Sequence, residues 1–116
     1  MIRKNNRMPG TVLTSNDSIK SSLDFIRMTD AVLVLSILKP GFSGQKFDTD
    51  SLDTIEELNK LSFRKDFILC IDGGVNDKIV PLLKAENIVS GSAVLNHQTP
   101  QRQILRLQTA GRYEVL

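Results

Sequence analysis

The sequence predicts an α/β fold in which four strand-then-helix units build one parallel sheet. Three observations carry that expectation. Residues 31–38 and 67–71 are short, nearly continuous apolar runs, as expected of strands buried on both faces. Stretches with apolar residues three and four apart lie between such runs and have the helical period. Segments bearing glycine and proline separate the two kinds of run. Strands alternating with helices in this way imply parallel strands joined by right-handed crossovers.

Each element has its own local reason. Thr11-Val12-Leu13 is a short β-branched run behind Pro9-Gly10. Ser15-Asn16-Asp17-Ser18 offers side-chain acceptors for a helix start, and Ile19, Leu23 and Ile26 follow at helical spacing. The run 31–38 is the second strand, and Lys39-Pro40-Gly41-Phe42-Ser43-Gly44-Gln45 breaks it as a loop. Leu52, Ile55, Leu58 and Leu61 mark a second helix, and 67–71 a third strand ended by Asp72-Gly73-Gly74. Asn76 or Asp77 caps an expected third helix carrying Ile79, Val80, Leu82 and Leu83. Ile88-Val89 is the last strand. Thr99 and Pro100 suit the cap and first position of a fourth helix, whose expected buried face is Ile104, Leu105 and Leu107.

The chain has 116 residues, which make one domain spanning 1–116 with no room for two. A full (β/α)8 barrel needs about 250 residues. Four units are therefore half a barrel or a small open α/β sheet. Half a barrel would leave its inner face and two strand edges bare, so self-association or a partner half-barrel is expected to cover them.

Composition excludes several classes. Hydrophobic residues at 41% and charged residues at 24% are ordinary globular values, so a disordered or low-complexity chain is excluded. A net charge of +2 gives no strong field for nucleic acid, and no aromatic residues interleave with the basic N-terminal residues. No apolar run approaches the roughly 18 residues of a membrane span, and no signal core follows the basic start. A single cysteine, Cys70, excludes an internal disulfide and reads as a buried reduced thiol. His97 reads as a surface residue. The chain reads as cytoplasmic, with partners that are neither nucleic acid nor membrane.

In parallel α/β sheets ligands bind at the carboxyl ends of the strands. Segments 14–17, 39–45, 72–76 and 90–93 lie there. Asp72 places a carboxylate at the end of an apolar strand, where poor solvation suits a general acid or base. Gly73 and Gly74 would let a ligand approach the backbone, and the next helix start would offer N–H donors to an anion. Gly91-Ser92 adds further N–H donors and a hydroxyl. Residues 40–45 are long enough for a lid. The plainer alternatives are that Asp72 caps a helix, Gly91-Ser92 is a turn and 40–45 is an ordinary connection.

Together these segments resemble ribulose-phosphate 3-epimerase, specifically its C-terminal half. The likeness is carried by Val32-Leu33-Val34-Leu35 leading into Lys39-Pro40-Gly41-Phe42-Ser43-Gly44-Gln45-Lys46-Phe47, then Ile71-Asp72-Gly73-Gly74-Val75-Asn76, then Ile88-Val89-Ser90-Gly91-Ser92-Ala93. It covers roughly residues 10 to 108 and makes the four units strands five to eight of a TIM-type barrel. The resemblance implies an isomerase of the pentose phosphate pathway, interconverting D-ribulose 5-phosphate and D-xylulose 5-phosphate by metal-assisted proton transfer at carbon 3. It implies a divalent metal: zinc, iron, cobalt or manganese.

Carried across residue by residue, Asp72 is both a catalytic acid/base and a metal ligand. Gly74, Gly91 and Ser92 bind the substrate phosphate. Gly41 touches it from the lid, which includes Pro40, Phe42, Ser43 and Gly44. The family's second aspartate and both metal-binding histidines lie on strands that this sequence does not contain. Ser36, counted back from Pro40, falls where the family usually places a methionine facing the substrate, and Ser43 replaces a family glycine. The alternative to catalysis is a half-barrel that only binds a sugar phosphate or a partner protein.

Overall fold

Apolar side chains at alternate positions build the four strands seen in the computed structural model, which describes residues 7–38, 45–95 and 98–113. Strands β1 (Gly10–Thr14), β2 (Ala31–Leu35), β3 (Ile68–Asp72) and β4 (Asn87–Val89) form an all-parallel sheet in the order β1-β2-β3-β4. Chain order and sheet order coincide, as in a sheet that curls steadily toward closure.

The register sorts side chains into two faces. Leu13, Val34, Ile71 and Ile88 stand in one row, and Val32 and Leu69 in another. These rows belong to a single core with Ile19 and Ile26 of α1 (Ile19–Arg27) and Ile55 and Leu58 of α2 (Ser51–Asn59). Burying each such side chain stabilises the fold by about 1.5–3 kcal/mol.

The opposite face has no such layer among the described residues. Its rows are Val12, Leu33, Cys70 and Asn87, then Thr14, Leu35, Asp72 and Val89. Val12 is 57% exposed and Val89 50%. The runs expected to be sealed on both faces are therefore sealed on one. The reason is that no described residue forms a layer opposite the face that a barrel turns to its lumen. Cys70 lies on this face and is half-buried rather than buried.

The helices follow their caps. Ser18 caps α1, its Oγ accepting from the Ser21 N–H at 3.3 Å. Helix α4 (Pro100–Tyr113) begins with Pro100 at its first position, and the Thr99 carbonyl accepts from the Gln103 N–H. The buried face of α4 differs from expectation. Gln103 is buried and Leu107 packs on the core, whereas Ile104 and Leu105 are 44% and 60% exposed. One helical face cannot hold both 103/107 and 104/105, and the Gln103 face won. A four-residue helix, α3 (Ser92–Leu95), was not expected.

The expected third helix does not form. Asn76 does cap this segment, its Oδ1 accepting from the Lys78 and Ile79 N–H groups, but only a 3-10 turn follows, over Val80–Leu82. Pro81 lacks the N–H that an α-helix needs there, and the segment is too short to start afresh. Beside the turn a cavity of about 470 Å³ opens, lined by Val80, Leu83, Ile88, Val94 and Leu107. It lies on the helix side of the sheet, away from Asp72.

Candidate functional site

The carboxyl ends of the strands gather the polar residues. Asp72 ends β3 and is half-buried on the open face, in register with Leu35 of β2 and Val89 of β4. Gly73 and Gly74 follow with φ of 124° and 65°, conformations that L side chains rarely adopt. Close approach reinforces the demand. A Cβ on Gly73 would stand 2.6 Å from Ile37 Cγ2, and one on Gly74 would stand 2.6 Å from the Cα of Phe47. Both glycines are thus required by the packing of β3's turn against the connection that follows β2.

A belt of hydrogen bonds runs beneath these strand ends. Ser15, after β1, donates its hydroxyl to Asp48 Oδ2 at 2.5 Å. Asp48 is only 8% exposed, and its Oδ1 accepts from the Asp50 N–H at 3.1 Å. The Asp48 N–H donates to the Ser36 carbonyl at 2.8 Å. Ser36 in turn donates its N–H to the Asp72 carbonyl at 2.8 Å and its hydroxyl to the Gly73 carbonyl at 2.6 Å. Past β4, Ser90 donates its hydroxyl to the Val75 carbonyl at 3.1 Å. All four strand ends are tied into one unit.

This belt corrects the reading of Ser36. It is fully buried and shares the parity of Val32 and Val34, so it lies beneath the sheet rather than facing a substrate. Leu35 is the residue of β2 that shares a row and a face with Asp72. One residue separates Leu35 from Ser36, and one residue reverses the face. Ser15 and Asp48 escaped sequence reading altogether. Asp48 resembles any acidic residue ahead of a helix, and no spacing signals that it turns inward.

The expected anion site at the next helix start is also corrected. A three-residue 3-10 turn has no macrodipole to speak of, and Asn76 already occupies donors there. Gly91 is different. A Cβ built on it would meet nothing within 4 Å, so its backbone is open to approach. Ser92 begins α3. Pro40, Gly41, Phe42, Ser43, Gly44 and His97 lie outside the described residues.

A divalent metal needs several donors converging on one point. Among the described residues no group of three His, Cys, Asp or Glu side chains does so. The neighbouring carboxylates are engaged elsewhere: Asp17 Oδ2 accepts from the Thr14 N–H at 2.7 Å, and Asp48 sits in the belt. Asp72 alone does not fit such an ion.

The ribulose-phosphate 3 epimerase family model matches residues 1–95. The chain belongs to this family. Among curated relatives, the ribulose-phosphate 3-epimerase of Bacillus subtilis is 29% identical over 114 residues, covering 93% of this chain and 52% of that protein. That of Helicobacter pylori strain J99 is 34% identical over 116 residues, with the same coverage. The chain therefore spans about half the length of the epimerases it matches. Among solved structures, 3-hexulose-6-phosphate synthase from Salmonella typhimurium superposes with a TM-score of 0.69 at 15% identity, over 97% of this chain and 53% of that one. That likeness concerns the fold. The neighbour is a TIM-type barrel, and the four-stranded sheet matches about half of it. Among the described residues no helix is long and apolar enough to cross a membrane.

Proposed function

We propose that this chain is the half of a ribulose-phosphate 3-epimerase barrel that carries strands five to eight, and that its site is completed when the remaining half, on the same polypeptide or another, closes over the open sheet face. In this reading Asp72 is one of two acid/base groups. Its carboxylate takes the proton from carbon 3 of D-ribulose 5-phosphate or returns one to give D-xylulose 5-phosphate. Gly91 and Ser92 hold the phosphate with Gly74, and Gly41 joins them from a lid over residues 40–44. The second base would come from the other half, as would the remaining metal ligands beside Asp72. No step runs through a metal held by this chain alone. The setting would be the cytoplasm and the pentose phosphate pathway.

The observation that supports this best is the position of Asp72. It ends a central parallel strand on the face left open, and the unobstructed backbone of Gly91 follows the neighbouring strand. A second reading, a non-catalytic half-barrel that binds a sugar phosphate or a partner protein, is favoured by the lack of a ligand cluster among the described residues.

A coupled epimerase assay on D-ribulose 5-phosphate, run on this chain mixed with the N-terminal half of a family relative and with zinc, iron(II), cobalt or manganese in turn, separates the two. Turnover that disappears in Asp72→Asn supports the first reading. Turnover that survives Asp72→Asn undiminished removes Asp72 from the chemistry. Absence of turnover together with a melting temperature raised by pentose phosphate supports the binding module.

A further inference from the structure

We propose that Ser36 is a positioning residue that fixes the direction of Asp72 and the shape of the turn after it. The proposal rests on the reading of Asp72 and the neighbouring glycines as the sugar-phosphate site. Ser36 is fully buried at the end of β2, and its side chain forms no part of the open face. It contacts the candidate acid/base only through the backbone. Its N–H donates to the Asp72 carbonyl at 2.8 Å, and its hydroxyl lies 2.6 Å from the Gly73 carbonyl and 3.1 Å from that of Asp72. Two successive carbonyls are therefore pinned by one residue, on either side of the Gly73 Cα.

That placement matters because Gly73 and Gly74 supply no side chains to hold their own unusual torsions, φ 124° and 65°. Glycine has the widest conformational freedom of any residue. Packing against Ile37 and Phe47 and the pairing of Asp72 in the sheet limit this segment, and the Ser36 bonds fix the two carbonyls within that limit. The anchor is itself held. The Ser36 carbonyl accepts from Asp48, whose carboxylate is fastened to Ser15 and to the Asp50 N–H. The belt thus carries the rigidity of the first two strand ends to the third. A serine suits the role because an alanine keeps the backbone bond but loses the hydroxyl, while threonine keeps both.

The test compares wild type, Ser36→Ala and Ser36→Thr by amide hydrogen exchange and by the melting shift that millimolar inorganic phosphate produces. Loss of one buried hydrogen bond should speed exchange at residues 73–75 by about tenfold in Ser36→Ala, while the amides of Val32 and Val34 keep their rates. The phosphate shift should shrink in the same variant. Ser36→Thr should restore both. Unchanged exchange at 73–75 in Ser36→Ala overturns the proposal. So does acceleration spread evenly over the sheet, which would mark a purely structural serine. If phosphate leaves the wild-type melting temperature unmoved, the sugar-phosphate reading is what fails. The exchange pattern still decides whether Ser36 holds the turn.

Discussion

Two glycines at the candidate site make opposite demands, and substituting each by alanine separates them. Gly74 has φ 65°, and a Cβ there would stand 2.6 Å from the Cα of Phe47 and 2.7 Å from the carbonyl carbon of Lys46. The torsion costs an alanine roughly 1–2 kcal/mol. The overlap is with backbone, which cannot rotate away, and overpacking of that kind costs about 1–3 kcal/mol more. Gly74→Ala should therefore lose about 2–5 kcal/mol, a large share of a typical total of about 5–15 kcal/mol. At Gly91 nothing lies within 4 Å of a Cβ. Gly91→Ala should stay within about 0.5 kcal/mol of wild type, or gain slightly because the unfolded chain loses freedom. Urea unfolding followed by far-ultraviolet circular dichroism reads both, with equal slopes confirming that midpoints can be compared. Equal midpoints for the two variants would refute the argument, since it derives the difference wholly from where the two Cβ atoms would land. The same pair also separates stability from binding. Gly91→Ala should weaken the melting shift caused by phosphate without weakening the fold.

Two further expectations concern charge and the open face. Glu86 accepts from Arg64 at 2.7 Å and from the Leu69 N–H at 2.9 Å, and the Arg64 hydrogen bond, opposed by partial burial, holds its carboxyl below the ordinary 4.5. Because the folded value is the lower one, this contribution is present above the unfolded carboxylate range and is lost as pH falls through the folded value. With the Glu86 side chain 46% exposed the effect is under about 1 kcal/mol. Urea midpoints of Glu86→Gln should fall less steeply with acidification than those of wild type, and parallel curves would contradict this. The exposed valines of the edge strands, Val12 and Val89, should drive association through the bare face. Val12→Lys combined with Val89→Lys should lower the light-scattering mass at high concentration, and an unchanged mass would count against it.

The strands were legible because short continuous apolar runs stand apart from the helical period between them, although only one face of the sheet is sealed. Val32, Val34, Leu69 and Ile71 could be placed from their neighbours' composition alone, and Ser18 and Pro100 announced helix starts through local chemistry. What failed were features decided by the third dimension. Pro81 lay in plain view, yet apolar spacing at Ile79, Val80, Leu82 and Leu83 outweighed it, although a missing N–H prevails over periodicity in so short a segment. Helix α4 offered two apolar faces, and its sequence does not say that Gln103 rather than Ile104 turns inward. At the site, Asp72 and the glycines were visible as a strand end. The roles of Ser15, Ser36 and Asp48 were not, because each acts through a partner more than ten residues away: Ser15 with Asp48, Ser36 with Gly73.

The location of the open face bears on why a half-barrel should keep such a site at all. Asp72 shares its row with Leu35 and Val89, apolar neighbours that solvate a charge poorly, yet water still reaches the row from the uncovered side. In water, hydration stabilises the charge of a carboxylate and makes it a weak base. Between two apolar walls that hydration is lost, and a carboxylate accepts a proton from carbon more readily. Closing the face would therefore do two things with one movement. It would remove the exposed edge at Val12 and Val89, which is unfavourable in isolation, and it would make the Asp72 row dry enough for proton transfer beside a carbonyl. Assembly and catalysis would draw on the same surface. A partner that buried the valines without excluding water from Asp72 would stabilise the chain and leave it inactive, so stability and turnover measured side by side distinguish a completed barrel from a merely covered sheet.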